Sequence, residues 1–107
     1  MCKIRLLTDN EKNLINGTSY IGSIETSINE LINKIGKPQI INHNINDDTH
    51  FEWQGAIEHN GKIIPFALYD YKNKKILEDN EMYDFHIGAF SENAHIVKQV
   101  LADKIFK

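Results

Sequence analysis

Hydrophobic and polar residues alternate most regularly between Phe51 and Glu58. Alternation with a period of two is typical of a β-strand that buries one face. Asn60-Gly61 follows this segment and favours a two-residue type I′ turn, after which residues 63–71 return as a second strand. The pattern therefore predicts a β-hairpin with strands near 51–58 and 63–71.

The two-residue turn also fixes which residues of the hairpin face each other. Counting outward from the turn places Trp53 opposite Leu68 and Gly55 opposite Phe66. Gly55 has no side chain, so it leaves room for the ring of Phe66. We expect Trp53, Phe66 and Leu68 to be buried together on one face of the sheet.

Two helices and two further strands are indicated elsewhere in the chain. Ser27-Ile28-Asn29-Glu30 fits a capping box, and an apolar stripe at i, i+3, i+4 and i+7 predicts a helix near 28–35. A second helix is expected near 92–105, with Ser91 as its N-cap. Residues 83–88 alternate as a third strand, and residues 20–25 form a shorter strand that Gly22 weakens.

These elements predict one domain over residues 1–107, of the α+β class. We expect a three- to four-stranded antiparallel sheet, a meander, with two helices packed on one face. Residues 1–16 are ambiguous, since 3–7 suits a short strand and 9–15 a helical turn. Residues 39–50 form a long polar connection, and connections of that length are mobile or functional.

Composition and charge narrow the classes of partner. The 107 residues are 41% hydrophobic and 25% charged, with a net charge of −3 and a single cysteine, Cys2. No segment has the roughly 18 apolar residues that a membrane span needs, and no secretory signal is visible, so we expect a cytoplasmic protein. Scattered lysines and a single arginine argue against nucleic acid as partner, because phosphate binding relies on clustered basic residues.

No residue set matches a known catalytic or metal-binding pattern. The five histidines lack zinc-ligand spacing, so neither a metal nor another cofactor is expected. No nucleophile elbow or phosphate-binding loop occurs. Asp84 and His86 share one face of a strand, which leaves open a small hydrolase in which the carboxylate orients the imidazole.

Asp70 falls on the predicted buried face at the end of the second strand. A carboxylate there must be hydrogen-bonded, paired or at the rim. One interpretation makes Asp70 an anchor that accepts backbone amides from the next loop. The other joins Asp70 to Lys72 and His86 in a small polar site.

The outward face of the hairpin offers the best candidate binding surface. If both helices cover the opposite face, an apolar and aromatic strip is exposed, and such a strip marks a partner or oligomer interface. The alternative is that residues 1–16 cover it. The strip consists of Ile63, Pro65, Ala67, Tyr69 and Tyr71.

The order of short motifs resembles a recurring family of small phage and prophage proteins. The matching segments are GTSYIGSIETS (17–27), ELINKIGKP (30–38), FEWQ (51–54), LYDYK (68–72) and FHIGAFS (85–91). Where the family pattern has Ile-Tyr-Asp-Trp-Lys and Trp-His-Ile-Gly-Gly, this chain differs at Leu68, Tyr71, Phe85 and Ala89. The resemblance implies a host-takeover or counter-defence role in the host cytoplasm.

Two kinds of partner follow from the resemblance and the strip. The first is a host defence protein, inhibited by stoichiometric binding without catalysis. The second is a small nucleotide signal, sequestered by a homo-oligomer that uses Tyr69, Tyr71, Lys72 and His86. Asp70, Lys72 and His86 are the polar positions that the family motifs share with this chain.

Overall fold

The computed structural model describes residues 2–44, 46–73 and 75–106 and shows an antiparallel sheet with helices on both faces. No helix in this part of the chain is both long and apolar enough to cross a bilayer. A 3-10 helix spans Asp9–Ile15, and a 3-10 turn spans Ser91–Asn93. The remaining elements are β1 (Cys2–Leu6), β2 (Ser19–Thr26), α1 (Ile28–Lys34), β3 (Ile40–Ile41), β4 (Phe51–His59), β5 (Lys62–Tyr69), β6 (Tyr83–Ala89) and α2 (Ala94–Phe106).

The sheet is larger than the sequence predicts. Within the described residues it has six strands in the order β1-β4-β5-β6-β2, and β3 pairs with the same edge of β4 as β1. The α+β class and the β4-β5-β6 meander are confirmed, whereas the expected three to four strands and two helices are too few. The first strand was missed as a sheet member because its partner β4 lies some fifty residues later, beyond the reach of local pattern.

The hairpin register is confirmed residue by residue. Trp53 pairs with Leu68 and Gly55 with Phe66. Asn60 and Gly61 have φ angles of 51° and 79°, as a type I′ turn requires. A Cβ on residue 55 would lie 2.4 Å from Cζ of Phe66, so only glycine leaves room for this ring.

The core lies between the sheet and the two α-helices. Trp53, Phe66 and Leu68 are fully buried there, together with Leu31 of α1 and Leu101 of α2. The indole nitrogen of Trp53 donates a 2.8 Å hydrogen bond to the carbonyl of Gly36, which ties the end of α1 to the sheet. Both α-helices therefore pack on one face, as predicted.

The predicted N-terminal cap is confirmed for the first α-helix and is wrong for the second. The Ser27 hydroxyl accepts a hydrogen bond from the Glu30 amide at 3.2 Å, as a cap should. Ser91 does not cap the last helix, because it lies inside the 3-10 turn that leads into α2. That turn delays the start of α2 to Ala94.

The opposite face of the sheet is partly covered by the N-terminal segment. After β1, residues 8–18, called the strap here, cross this outer face through the 3-10 helix, which packs against β5, and lead into β2. The guanidinium of Arg5 holds the strap through two hydrogen bonds to the Glu11 carboxylate, at 2.6 and 2.8 Å, and also bonds Glu58. Arg5 lowers the pKa of Glu11 to about 2 by favouring its charged form.

Candidate functional site

Side chains on the outer face fall into rows that run across the strands. One row contains Glu52, Tyr69, His86 and Ser23, taken in order from β4 to β2. Strand pairing places these side chains about 5 Å apart at their Cβ atoms. The row lies beyond the strap, toward the end of β5.

Three tyrosines surround His86 in this region. The ring of Tyr20 lies 4.6 Å from the imidazole, that of Tyr71 5.2 Å and that of Tyr69 5.7 Å, measured between centroids. Tyr69 and Tyr71 meet edge to face at 6.3 Å. These four residues are called the aromatic cluster here.

The aromatic cluster is accessible from solvent. Tyr20 is 58% exposed and Tyr71 39% exposed, while Tyr69 and His86 are half-buried beside them. Rings with a large apolar area and a polar tip are favoured at binding surfaces. The arrangement can stack on a planar group or accept a cation against the ring faces.

A β-bulge brings Tyr20 into the cluster, and the sequence pattern did not reveal it. Simple alternation places Tyr20 on the same face as Gly22 and Ile24. In the structure the register shifts between Tyr20 and Gly22, so that Tyr20 pairs with Gly88 on the outer face. An extra residue in one strand reverses the side-chain parity beyond it. The glycine at position 22 is the only sequence signal that pointed to a bulge.

Tyr71 is held in place although it lies beyond the end of β5. The hydroxyl of Tyr83 donates a 2.9 Å hydrogen bond to the backbone carbonyl of Tyr71. Lys72 follows with a left-handed φ of 59°, and its ammonium lies 5.6 Å from the centroid of the Tyr71 ring. The ring of Tyr71 therefore already accepts a cation on one face.

Carboxylates flank the aromatic cluster on two sides. Glu52 lies beside Tyr69 and is oriented by a 2.7 Å hydrogen bond from the Gln54 amide. Burial raises the pKa of Tyr69, and the nearby charge of Glu52 raises it further. On the other side, Asp84 and Glu25 oppose each other directly across β6 and β2, and both are exposed.

The predicted apolar strip is not continuous. Pro65 and Ala67 are buried, and the 3-10 helix of the strap packs against β5. This agrees with the alternative that residues 1–16 cover the strip, rather than with exposure of these two residues. Ile63 remains 48% exposed on one side of the strap. Tyr69 and Tyr71 lie on the other side, which separates Ile63 from the aromatic cluster.

Asp70 is a structural anchor on the buried side of the sheet. Its Oδ1 accepts hydrogen bonds from the amides of His50 and Phe51 at 2.8 and 2.9 Å, and Oδ2 accepts one from the Asn73 side chain. The side chain is fully buried and points away from His86. Of the two interpretations, the anchor therefore agrees with the structure and the polar site of Asp70, Lys72 and His86 does not, and the amides come from the start of β4 rather than the next loop.

His50 is fully buried beside this anchor. Its Nε2 lies 3.0 Å from the carbonyl oxygen of Asn44, and its Nδ1 lies 3.4 Å from Oδ2 of Asp70. The Nε2 contact with Asn44 and the hydrogen bond from the His50 amide to Asp70 fasten the polar connection before β4 to the end of β5. The connection is therefore tied to the core at this point.

The arrangement that a hydrolase would need at Asp84 and His86 is not formed. Both residues lie on the outer face of β6, about 6.5 Å apart along the strand. Among the described residues the Asp84 carboxylate makes no hydrogen bond or ion pair with the imidazole, which contacts tyrosine rings instead.

A thiol–imidazole pair lies at the opposite end of the sheet. Cys2 Sγ is 3.0 Å from Nδ1 of His59, its partner across β1 and β4. An open groove of about 790 Å³ between β1 and α2 begins at Cys2. An imidazole at this distance can take the thiol proton. Sequence reasoning missed the pair because β1 was not assigned to the edge of β4.

No group of three or more His, Cys, Asp or Glu side chains in the described ranges is placed to hold a metal ion. Comparisons with protein-family models, curated proteins and solved structures found no match to this chain. The resemblance to phage and prophage proteins thus stays a prediction.

Proposed function

We propose that this chain is a binding protein that acts stoichiometrically on a protein partner through the aromatic cluster. One observation carries the proposal: three tyrosines from β2, β5 and the segment after β5 gather around His86 on a solvent-exposed part of the sheet. Binding energy at protein interfaces concentrates in a few aromatic anchors of this kind.

The resemblance to small phage proteins indicates which kind of partner is bound. The resemblance implies an accessory protein that occupies a host protein or captures a nucleotide signal, and we propose a host defence protein as the target. Occupation needs a stable surface rather than a reactive group. The rigid strands beneath Tyr69 and His86 supply such a surface, because side chains on paired strands are held in fixed positions.

Affinity capture with matched variants tests the proposal. The tagged wild-type protein should retain a partner in a one-to-one ratio, and Tyr20→Ala/Tyr71→Ala should lose it. The control is Phe106→Ala, which removes an exposed apolar ring at the end of α2, the helix that packs on the other face of the sheet. Retention of the partner by the tyrosine double variant, with loss of the partner by Phe106→Ala, would contradict the proposal.

Sequestration of a nucleotide is the second candidate, since tyrosine rings can stack on a base. The carboxylates beside the cluster disfavour it, because they repel phosphate. Mass spectrometry of small molecules released from heat-denatured protein separates the two candidates. A nucleotide released from wild type but absent from Tyr71→Ala would replace the protein-binding proposal.

Thiol chemistry at Cys2 can be separated from binding in the same assay. Cys2→Ser removes the nucleophile and changes one exposed atom on β1. We expect this variant to capture the partner as wild type does. A covalent adduct on Cys2, with loss of function in Cys2→Ser, would instead point to an enzyme.

A further inference from the structure

Carboxylates outnumber cations among the charged side chains named around the aromatic cluster. Glu52 lies on its β4 side, and Asp84 and Glu25 lie on the side toward the start of β6. Lys72, next to Tyr71, is a flanking cation. The rim of the cluster is therefore negative.

The pair Asp84 and Glu25 is unfavourable in the free protein. Two carboxylates directly opposite each other on neighbouring strands repel, and such pairs destabilise a sheet. Neither side chain makes a hydrogen bond or an ion pair to another residue within 2–44, 46–73 and 75–106. A positive group placed between them would relieve the repulsion.

The tyrosine rings favour the same kind of group. The face of an aromatic ring attracts a cation, and guanidinium or ammonium groups bind within about 6 Å of the centroid. Lys72 shows this contact within the chain itself, at 5.6 Å from Tyr71. Tyr20 and Tyr69 offer further ring area beside the imidazole of His86.

We propose that the aromatic cluster takes a positively charged side chain, an arginine or a lysine, from the partner protein. The guanidinium or ammonium lies against the tyrosine rings, and Glu52 or Asp84 neutralises its charge. This inference rests on the proposed function and names the chemistry of the partner segment. It excludes a phosphate-bearing ligand at the same place.

Nuclear magnetic resonance with small probes tests the charge preference directly. Aromatic signals of the cluster are followed while acetyl-Gly-Arg-Gly amide, its citrulline counterpart or adenosine monophosphate is added. We expect saturable shifts with the arginine peptide and at least about three-fold weaker binding of the neutral citrulline peptide, since surface charge pairs contribute that order of affinity. Saturable binding of the nucleotide, or equal binding of the two peptides, would overturn the inference.

Charge-neutral variants identify the carboxylates involved. Glu52→Gln and Asp84→Asn should each weaken binding of the arginine peptide by about two- to five-fold. Glu92→Gln is the matched control, because it removes the same charge from an exposed site in the 3-10 turn before α2. If Glu92→Gln weakened binding of the peptide as much as Glu52→Gln does, the effect would come from the net charge of the protein rather than from Glu52. The inference would then fail.

The partner captured by the wild-type protein separates this inference from the proposed function. If the tyrosine double variant loses the partner while Glu52→Gln/Asp84→Asn retains it at full affinity, the binding function stands and the cationic contact is wrong. If both variants weaken it, the two proposals stand together. A dimer in light scattering that Tyr71→Ala dissociates would mean that a second copy occupies the cluster, and would overturn both.

Discussion

The ring centroids of Tyr20 and His86 lie 4.6 Å apart, and the two ring planes are inclined by 44°. They reach each other because the register between β2 and β6 shifts after Tyr20. The same shift leaves Ile24 buried on the other face. The extra residue in the edge strand β2 thus allows Ile24 to pack in the core while Tyr20 lies in the aromatic cluster.

His86→Ala distinguishes a binding protein from an enzyme. We expect a modest loss of partner affinity, smaller than that of Tyr71→Ala, because His86 is half-buried among the rings and exposes less contact area. A general base would be different, since its loss costs on the order of a hundredfold or more in turnover. Activity abolished in His86→Ala, with fold and partner binding intact, would show that the enzyme interpretation is right.

Gly55→Ala should destabilise the protein by about 1–3 kcal/mol, the usual cost of an overpacked core. The new methyl group would lie 2.4 Å from Cζ of the fully buried Phe66 ring and 3.1 Å from the backbone oxygen of Arg5. The measurement is the free energy of unfolding in urea. Gly88→Ala is the control, since its Cβ would make only ordinary contacts, the nearest at 3.6 Å to Tyr69. Equal losses in the two variants would contradict this account of the hairpin.

Asp70→Ala should cost about 3 kcal/mol of stability, because it leaves the buried amides of His50 and Phe51 without an acceptor. Asp70→Asn should cost less, since an amide oxygen can still accept from both. Thermal and urea unfolding measure the difference. At a temperature where the variant is folded, partner binding should be unchanged. A loss of binding by the folded variant would show that Asp70 is part of the functional site.

The Arg5–Glu11 pair should make attachment of the strap depend on pH. The folded-state pKa of Glu11 is lowered to about 2 from an ordinary value of 4.5. The pair therefore stabilises the folded state fully above about pH 4.5, and its contribution is lost as the pH falls from there toward 2. Hydrogen exchange of the strap amides between pH 5 and pH 2.5 should show this loosening.

Glu11→Gln should remove that dependence, because the glutamine side chain does not titrate. Glu30→Gln, on the exposed face of α1, should leave it unchanged. A strap whose protection is the same at pH 5 and pH 2.5 in the wild-type protein would show that Arg5 does not hold it.

Local pattern was enough to predict the hairpin and its buried face. Asn60-Gly61 sets the turn type, and the turn then sets every pair of β4 and β5. The missing side chain at Gly55 even indicated which ring fills the space. Such features depend on neighbours close in sequence, so they can be read from the sequence alone.

The candidate site was only partly predictable, because it depends on contacts between distant segments. Tyr69, Tyr71 and His86 were expected on one surface, but Tyr20 enters through a bulge that alternation does not reveal. Pro65 is buried on the strand that the strap packs against, and the Arg5–Glu11 pair holds the strap in place. Neither feature has a local sequence pattern strong enough to fix it.

The most direct test of the central claim is a calorimetric titration of the captured partner with wild-type protein and with Tyr20→Ala/Tyr71→Ala. We expect one partner bound per chain, and affinity at least about a hundredfold weaker in the double variant, since aromatic anchors each contribute about 2 kcal/mol or more. Circular dichroism confirms that the variant is folded, and the control Phe106→Ala should bind as wild type does. Equal affinity of the tyrosine double variant and the wild-type protein would contradict the claim that this cluster is the binding surface.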